Sequence, residues 1–403
     1  MSANWSEVRL GDYVDLLSGF AFKSKHFTDK PDDIPLVKGS NVHQGYIDWE
    51  KAVRWPKEQF SLFEKYHLEI DDVVLAMDRP WIEAGLKYSW VKPNAPKSML
   101  VQRVSRLRGV NGLSSRYLRY VIGSPQFTNY IKPIVTGVNI PHISGGQIKD
   151  YKFRLPPELV QDNIADIIEP YDNLIENNNR RIAILEDMAQ SLYREWFVKF
   201  RFPGYQDCEF KESELGLIPE GWEVKALKEV CNLTMGQSPK SEFYNENGEG
   251  TPFFQGVRDY GFRFPTERVW CTKATRYAKQ NDILFSVRAP VGRLNIAGFD
   301  LAIGRGLCSI SHTKGYQSFL FQQLKSIFTS EDMMGNGAIF NSVTKADIEG
   351  IKLTCPSEEM IVYTEGQLAP IFKKLDNLCS KNENLKQQRD LLLPKLISGN
   401  VTI

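Results

Sequence analysis

The sequence has no run of about 18 apolar residues, the length a membrane-crossing helix needs, although 42% of its 403 residues are hydrophobic. Its start, Met1-Ser2-Ala3-Asn4-Trp5-Ser6-Glu7, has neither the basic stretch nor the apolar stretch of a secretion signal. Cysteine is sparse: six residues are scattered between Cys208 and Cys379 with no C-x-x-C pair. That usage fits reduced thiols and argues against a zinc site. Together these absences predict a cytoplasmic protein with no membrane contact. The five histidines (His26, His43, His67, His142, His312) show no metal-ligand spacing and no nucleophile partner. No G-x-x-x-x-G-K-[ST] loop is present to cradle ATP phosphates. Nor is there an Asn/Asp-Pro-Pro-Tyr/Phe motif for methylating an amino nitrogen. The nearest match, Leu155-Pro156-Pro157-Glu158, lacks both the amide or carboxylate and the aromatic ring. The glycine pairs in Met334-Gly335-Asn336-Gly337 and Ser144-Gly145-Gly146 read as turns. The chain is therefore expected to be non-catalytic, with no cofactor or metal of its own.

What is present is ordinary in composition, with a quarter of the residues charged and a net charge of +1. Charge is unevenly spread: residues 1–155 carry a positive excess, residues 219–357 a smaller one, and residues 156–218 are acidic. Such an excess suits a polyanionic partner or a merely solvated surface.

Two stretches organise the chain. Between Leu159 and Phe200, a seam with a 3.5-residue period runs Ile164, Ile167, Tyr171, Leu174, Asn178, Arg181, Leu185, Met188, Leu192. Between Leu368 and Leu396 it runs Leu368, Ile371, Leu375, Leu378, Asn382, Leu385, Arg389, Leu392, Leu396. Every pair differs by 204 positions, and Asp172-Asn173-Leu174 recurs as Asp376-Asn377-Leu378. That period marks a coiled-coil seam. Asn178 and Asn382 fall on matched seam positions, where a buried pair of amides would fix the register of the helices.

The remaining blocks repeat as well. Trp5, Gly19, Lys23-Ser24, Pro35 and Gly39 match Trp222, Gly236, Lys240-Ser241, Pro252 and Gly256, each 217 positions on. Asp72 and Pro80 match Asp282 and Pro290. Ile143-Ser144, Ile148, Lys152 and Pro156 match Val343-Thr344, Ile348, Lys352 and Pro356. The shared residues shape backbone or fill core, and the polar residues between them mostly differ. The expected organisation is α+β: a mixed α/β domain over 1–155, a helix over 156–201, a linker over 202–218, a second mixed domain over 219–357 and a second helix over 358–403. A pseudo-two-fold axis crossing the seam requires the helices to pack antiparallel. A short helix is expected over Leu113–Ile122 and a strand over Asp72–Ala76.

At this level the chain resembles the DNA-specificity subunits of type I restriction–modification systems. The resemblance rests on Ile164-Ala165 through Asp172-Asn173-Leu174-Ile175-Glu176-Asn177-Asn178, on Met188-Ala189-Gln190-Ser191-Leu192-Tyr193-Arg194-Glu195-Trp196-Phe197, on Glu214-Leu215-Gly216-Leu217-Ile218-Pro219-Glu220-Gly221-Trp222 and on the tail from Gln387 to Gly399. It implies that the two mixed domains are target-recognition domains, each reading one half of a split, asymmetric site in double-stranded DNA. It also implies that the helices set the spacing between the halves and dock two methyltransferase subunits. Those partners would bind S-adenosylmethionine and methylate adenine at N6; restriction subunits, where present, add ATP-driven translocation and cleavage.

Bidentate contact with base edges needs Arg for guanine and Asn or Gln for adenine. Residues of that kind in loops flanking the framework are Lys38, Asn41, Gln44, Arg54, Arg79, Asn139 and His142 in the first domain. In the second they are Lys240, Gln255, Arg258, Tyr260, Arg263, Arg288, Arg293 and Asn341. Each is equally a surface charge or a phosphate contact. Arg79-Pro80 and Arg288-Ala289-Pro290 follow matched strands, although Asp78 rather than Arg79 corresponds to Arg288. Tyr193, Trp196 and Phe197 end the first helix, either as its domain's core or as part of a partner-docking surface. Two other classes stay open on the residues alone: a scaffold that joins two partner subunits without binding DNA, and a stand-alone DNA-binding regulator.

Overall fold

The computed structural model of the chain describes residues 5–82, 85–135, 141–328 and 342–399. Asn139, Asn341 and the stretch Met334-Gly335-Asn336-Gly337 lie outside the described residues. The chain divides into two compact units, Met1–Ile175 with Asn384–Ile403, and Glu176–Glu383.

In the first unit, strands Val14–Ser18, Val104–Gly109, Val73–Ala76 and Tyr88–Trp90 form an antiparallel sheet in that order. Ile34–Val37 runs parallel to Met99–Leu100 and antiparallel to Arg54–Trp55. Ser6–Arg9 pairs with Lys152–Leu155, the strand that leads into the first long helix. All four residues of Val73–Ala76 are buried. Successive side chains of a strand face opposite ways. Val73 and Leu75 therefore join one core with Leu118 and Ile122, while Val74 joins another with Val37 and Leu100. The short helix expected from Leu113 is Ser115–Ile122.

The second unit repeats this topology. Its four-stranded sheet runs Cys231–Met235, Leu307–His312, Ile283–Ser286, Leu294–Ile296. Thr251–Phe254 is parallel to Leu301–Ile303, and Glu223–Ala226 pairs with Lys352–Cys355. The matched residues have matched jobs. A Cβ on Gly19 would lie 2.3 Å from the Val101 carbonyl oxygen, and one on Gly236 would lie 2.1 Å from that of Gly304, so neither position admits a side chain. Ser144 and Thr344 each open a one-turn helix with a reciprocal cap, exchanging hydrogen bonds with Gln147 and Asp347. Residues 202–218, the expected linker, contain a short helical turn at Tyr205–Asp207 and a hairpin of Phe210–Ser213 with Gly216–Pro219.

The first long helix is Glu158–Tyr193, followed by one wider turn at Arg194–Val198. The second is Glu358–Ile397. They run antiparallel: Ile182 packs with Leu375 and Leu378, and four residues earlier Asn178 meets Asn382. The seam of the second helix is as expected, with Leu368, Leu375, Leu378, Asn382 and Leu396 buried. That of the first needs correction. Ile168, Ile175, Ile182 and Ala189 are buried, whereas Ile167, Leu174 and Met188 are exposed, as is Arg181. Two apolar stripes lie side by side on this helix, and period alone does not choose between them.

The core of each mixed domain is completed by a helix end from the other repeat. Leu393 and Leu396, near the end of the second helix, pack with Leu118, Ile122 and Ile164 in the first unit. Ala189, Tyr193 and Phe197, near the end of the first helix, pack with Trp222, Phe319 and Leu368 in the second.

Candidate nucleic-acid interface

Four polar side chains of the second unit meet at one cleft. A cleft of about 180 Å³ is lined by Ser238, Gln255, Arg288 and Arg305 with the backbone of Gly256 and Gly306. Three separate turns supply them: the one after Cys231–Met235, the one after Thr251–Phe254 and the one after Leu301–Ile303. Arg288 follows the central strand Ile283–Ser286 and is held by a bridge to Ser342. The Gln255 amide donates to Tyr244 Oη at 3.2 Å, which fixes its side chain at the rim. Ser238 Oγ accepts from the Arg305 backbone N–H at 3.2 Å. The guanidinium groups of Arg288 and Arg305 have no partner among the described residues. Pockets for compact ligands run to roughly 300–1,000 Å³, so this cleft is too small to enclose one. Unpaired guanidiniums beside an amide are donors for guanine and adenine edges. Arg305 and Ser238 were not singled out from sequence. Aligning Gly304-Arg305-Gly306 with Val101-Gln102-Arg103, 203 positions apart, would have found Arg305.

The corresponding place in the first unit follows from identical backbone pairings. Arg103 accepts from Met77 N–H as Gly306 accepts from Val287 N–H, and Asp78 bridges His142 as Arg288 bridges Ser342. Lys38 therefore stands where Gln255 does, Asp78 where Arg288 does and Gln102 where Arg305 does. Asp78 is not available as a reader. Arg103 Nη1 donates to it at 2.8 Å and His142 Nδ1 lies 2.7 Å from it. Burial works to raise the Asp78 carboxyl, but the hydrogen bonds from His142 and Arg103 outweigh it and hold the carboxyl below the usual carboxylate range. His142 is thus tied to Asp78, while Arg79 is exposed beside the cluster and Lys38 is half-buried, its ammonium 5.8 Å from the Phe27 ring.

Several of the expected readers make contacts within the fold. Asn41 is fully buried: its Oδ1 accepts from the Lys38 N–H and its Nδ2 donates to the Leu36 carbonyl. Arg54 donates to the Asp33 carbonyl at 2.9 Å, and Gln44 to the Gly85 carbonyl at 3.3 Å. Tyr260 has its hydroxyl buried without a partner among the described residues, and burial pushes the phenol well above its ordinary value. Arg263 is 5% exposed, ion-paired to Asp376 on the second long helix and stacked 4.6 Å from the Phe372 ring. A side chain enclosed this way is withdrawn from a base edge. Lys240, Arg258 and Arg293 are exposed but do not line the cleft.

On the helices, Asn178 Nδ2 donates to Asn382 Oδ1 at 2.9 Å, and Asn382 Nδ2 donates to Asn179 Oδ1 at 2.8 Å. Both seam amides are buried and satisfied. Tyr193 and Phe197 are enclosed in the second unit's core, which takes them off any docking surface. Trp196 is half-buried and stacks on the exposed Tyr363 at 5.8 Å. Among the described residues, no group of three or more His, Cys, Asp or Glu is placed to hold a metal ion, and no helix is long and apolar enough to cross a membrane.

The sequence model of the type I restriction modification DNA specificity domain matches residues 2–187 and 219–391, one match for each repeat. The chain belongs to the type I restriction–modification DNA specificity family. It is 36% identical over 432 residues to the type I restriction enzyme MjaVIII specificity subunit of Methanocaldococcus jannaschii, covering 99% of this chain and 93% of that protein. It is 25% identical to the EcoBI specificity subunit of Escherichia coli, covering 99% of this chain and 86% of that one. Its fold resembles the crystal structure of a type I restriction–modification S subunit from M. genitalium, with a TM-score of 0.60 over 98% of this chain and 96% of that chain. At 15% identity that likeness speaks for the fold alone. The two mixed domains are, in the family's terms, two target-recognition domains, and the long antiparallel helices are the elements between them.

Proposed function

We propose that each target-recognition domain reads one half of a bipartite, asymmetric duplex site, and that the helices set the gap between the halves. The observation that carries this reading is the repeat itself: two copies of one backbone whose matched loop positions hold Gln255, Arg288 and Arg305 in one copy and Lys38, Asp78 and Gln102 in the other. Two readers of one shape and different polar content would prefer two different half-sites. The 40-residue second helix rises about 60 Å, enough to act as a spacer. The helices would also dock two methyltransferase subunits. Supporting this, both repeats match the specificity-domain family and each ends in one long helix.

On this reading the chain is the non-catalytic member of a cytoplasmic assembly. Its methyltransferase partners would bind S-adenosylmethionine and modify adenine N6, and restriction subunits, where present, would add ATP-dependent cleavage. The test is site selection from a random duplex library by the chain co-expressed with its methyltransferase. Recovery of two fixed half-sites across a fixed gap is expected, with two methyltransferase copies per chain by analytical ultracentrifugation. Sequence-independent binding, or a stable one-to-one complex at saturating partner, overturns the respective part.

A further inference from the structure

A second groove, of about 310 Å³, lies in the second unit between the two long helices. Arg181 of the first helix and Lys373, Lys374 and Lys381 of the second line it, around the amides of Asn178 and Asn377. All four cations are exposed and none has an ion-pair partner among the described residues. Like charges gathered without counter-charges repel one another and lower the stability of the bare helix pair. An anionic companion from outside the chain would relieve that repulsion.

The repeat says which kind of anion. By the 204-residue offset, Arg181, Lys373, Lys374 and Lys381 correspond to Leu385, Glu169, Pro170 and Asn177. None of these four is basic, and Glu169 is already held by Arg116 at 2.6 Å and Arg119 at 3.1 Å. A partner present in two like copies needs two like surfaces, one on each repeat. This groove has no like counterpart, so it does not belong to a docking surface shared by two identical subunits. An asymmetric duplex is a single ligand, polyanionic throughout, and is under no such constraint.

Resting on the reading of the chain as a DNA-specificity subunit, we infer that the Arg181–Lys373–Lys374–Lys381 groove binds the sugar–phosphate backbone of the duplex, apart from the base-reading clefts. Phosphate contacts set affinity and position without reading sequence. The assembled complex of chain and methyltransferase is the object to test, comparing the native chain with the K373Q/K374Q/K381Q variant. Exposed helical lysines tolerate glutamine, and a thermal melt checks that the variant folds. Binding to a duplex is measured between 50 and 200 mM salt. Each phosphate contact contributes about 0.9 to the slope of log affinity against log salt. The affinity lost over that fourfold range should therefore shrink by about 3.5-fold per contact removed. Preferred bases in both half-sites should stay the same, and Arg181→Gln on the other helix should add a further loss of slope. An unchanged slope overturns the inference. So does a loss of methyltransferase from the variant complex, which would make the groove a protein contact, or an altered base preference. A native complex with no preferred duplex would instead strike at the proposed function, because the slope is measurable on any duplex.

Discussion

The two target-recognition domains share their backbone down to single hydrogen bonds, yet they treat equivalent positions in opposite ways. Asp78 of the first is neutralised by Arg103 and His142, whereas Arg288 of the second is left open at the cleft. The helices show the same contrast. The aspartates of the repeated Asp-Asn-Leu stretch both accept an arginine, but Asp172 takes Arg389 from the opposite helix while Asp376 takes Arg263 from the second recognition domain. A duplicated fold keeps whatever shapes the backbone and exchanges whatever meets a partner. Polar surface at a matched position is therefore where the copies' functions diverge.

The largest change expected leaves both domains intact and alters only what joins them. One heptad inserted into both helices, at the matched points near Leu185 and Arg389, keeps the apolar seam in phase. Seven residues add about 10 Å of helix, and a base pair rises about 3.4 Å. The selected half-sites should move apart by about three base pairs with their sequences preserved. Site selection with the co-expressed methyltransferase reads this; an unchanged gap means that the helices do not measure the spacer.

The unequal aspartate pairs come next. Arg263→Ala removes a nearly buried cation and strands Asp376, itself about a third exposed. Breaking a buried pair costs about 3–5 kcal/mol; with this exposure about 2–3 kcal/mol is expected in the second unit by urea unfolding. A loss under about 1 kcal/mol would place Arg263 among ordinary surface pairs.

Base reading should separate the domains cleanly. Arg288→Ala or Arg305→Ala should lose about 1–3 kcal/mol at one base pair of the second half-site and leave the first half-site's preference untouched. Binding weakened equally on all sequences would reassign the residue to phosphate. Arg258→Ala, exposed but outside the cleft, should show that uniform weakening.

At the seam, Asn178→Leu should cost about 1–2 kcal/mol by leaving part of Asn382's hydrogen bonding unmet in a buried place. The double change with Asn382→Leu should recover that loss, while loosening the unique register. Double-mutant unfolding shows it; additive losses would mean the amides do not act together.

The smallest effect concerns pH. The Asp78 carboxyl is held below its ordinary range, so it stabilises the fold above the unfolded value of about 3.9 and that contribution fades as pH falls through the folded value. Asp78→Asn should cost under about 1 kcal/mol at pH 7, and the difference from the native chain should shrink toward pH 2. A pH-independent difference would mean a packing role.

Residue types and spacing alone determined the duplication, the two matched helices and their antiparallel sense, because glycine, proline, tryptophan and aliphatic positions specify backbone and core wherever they fall; the family was legible only through the likeness of the helix and Glu214–Trp222 stretches to known specificity subunits. Spacing did not determine which stripe of the first helix is buried. Ile167 with Leu174 and Ile168 with Ile175 fit the period equally well, and the contact of Ile182 with Leu375 and Leu378 makes the choice. Nor did it distinguish a polar side chain held within the fold from one left open. Asn41, Arg54 and Arg263 look like Gln255, Arg288 and Arg305 in sequence. Only tertiary structure surrounds the first three with a buried loop, the Asp33 carbonyl and Asp376, and leaves the others facing solvent. A polar side chain's role depends on which partners lie within hydrogen-bond reach, and those partners come from distant parts of the chain.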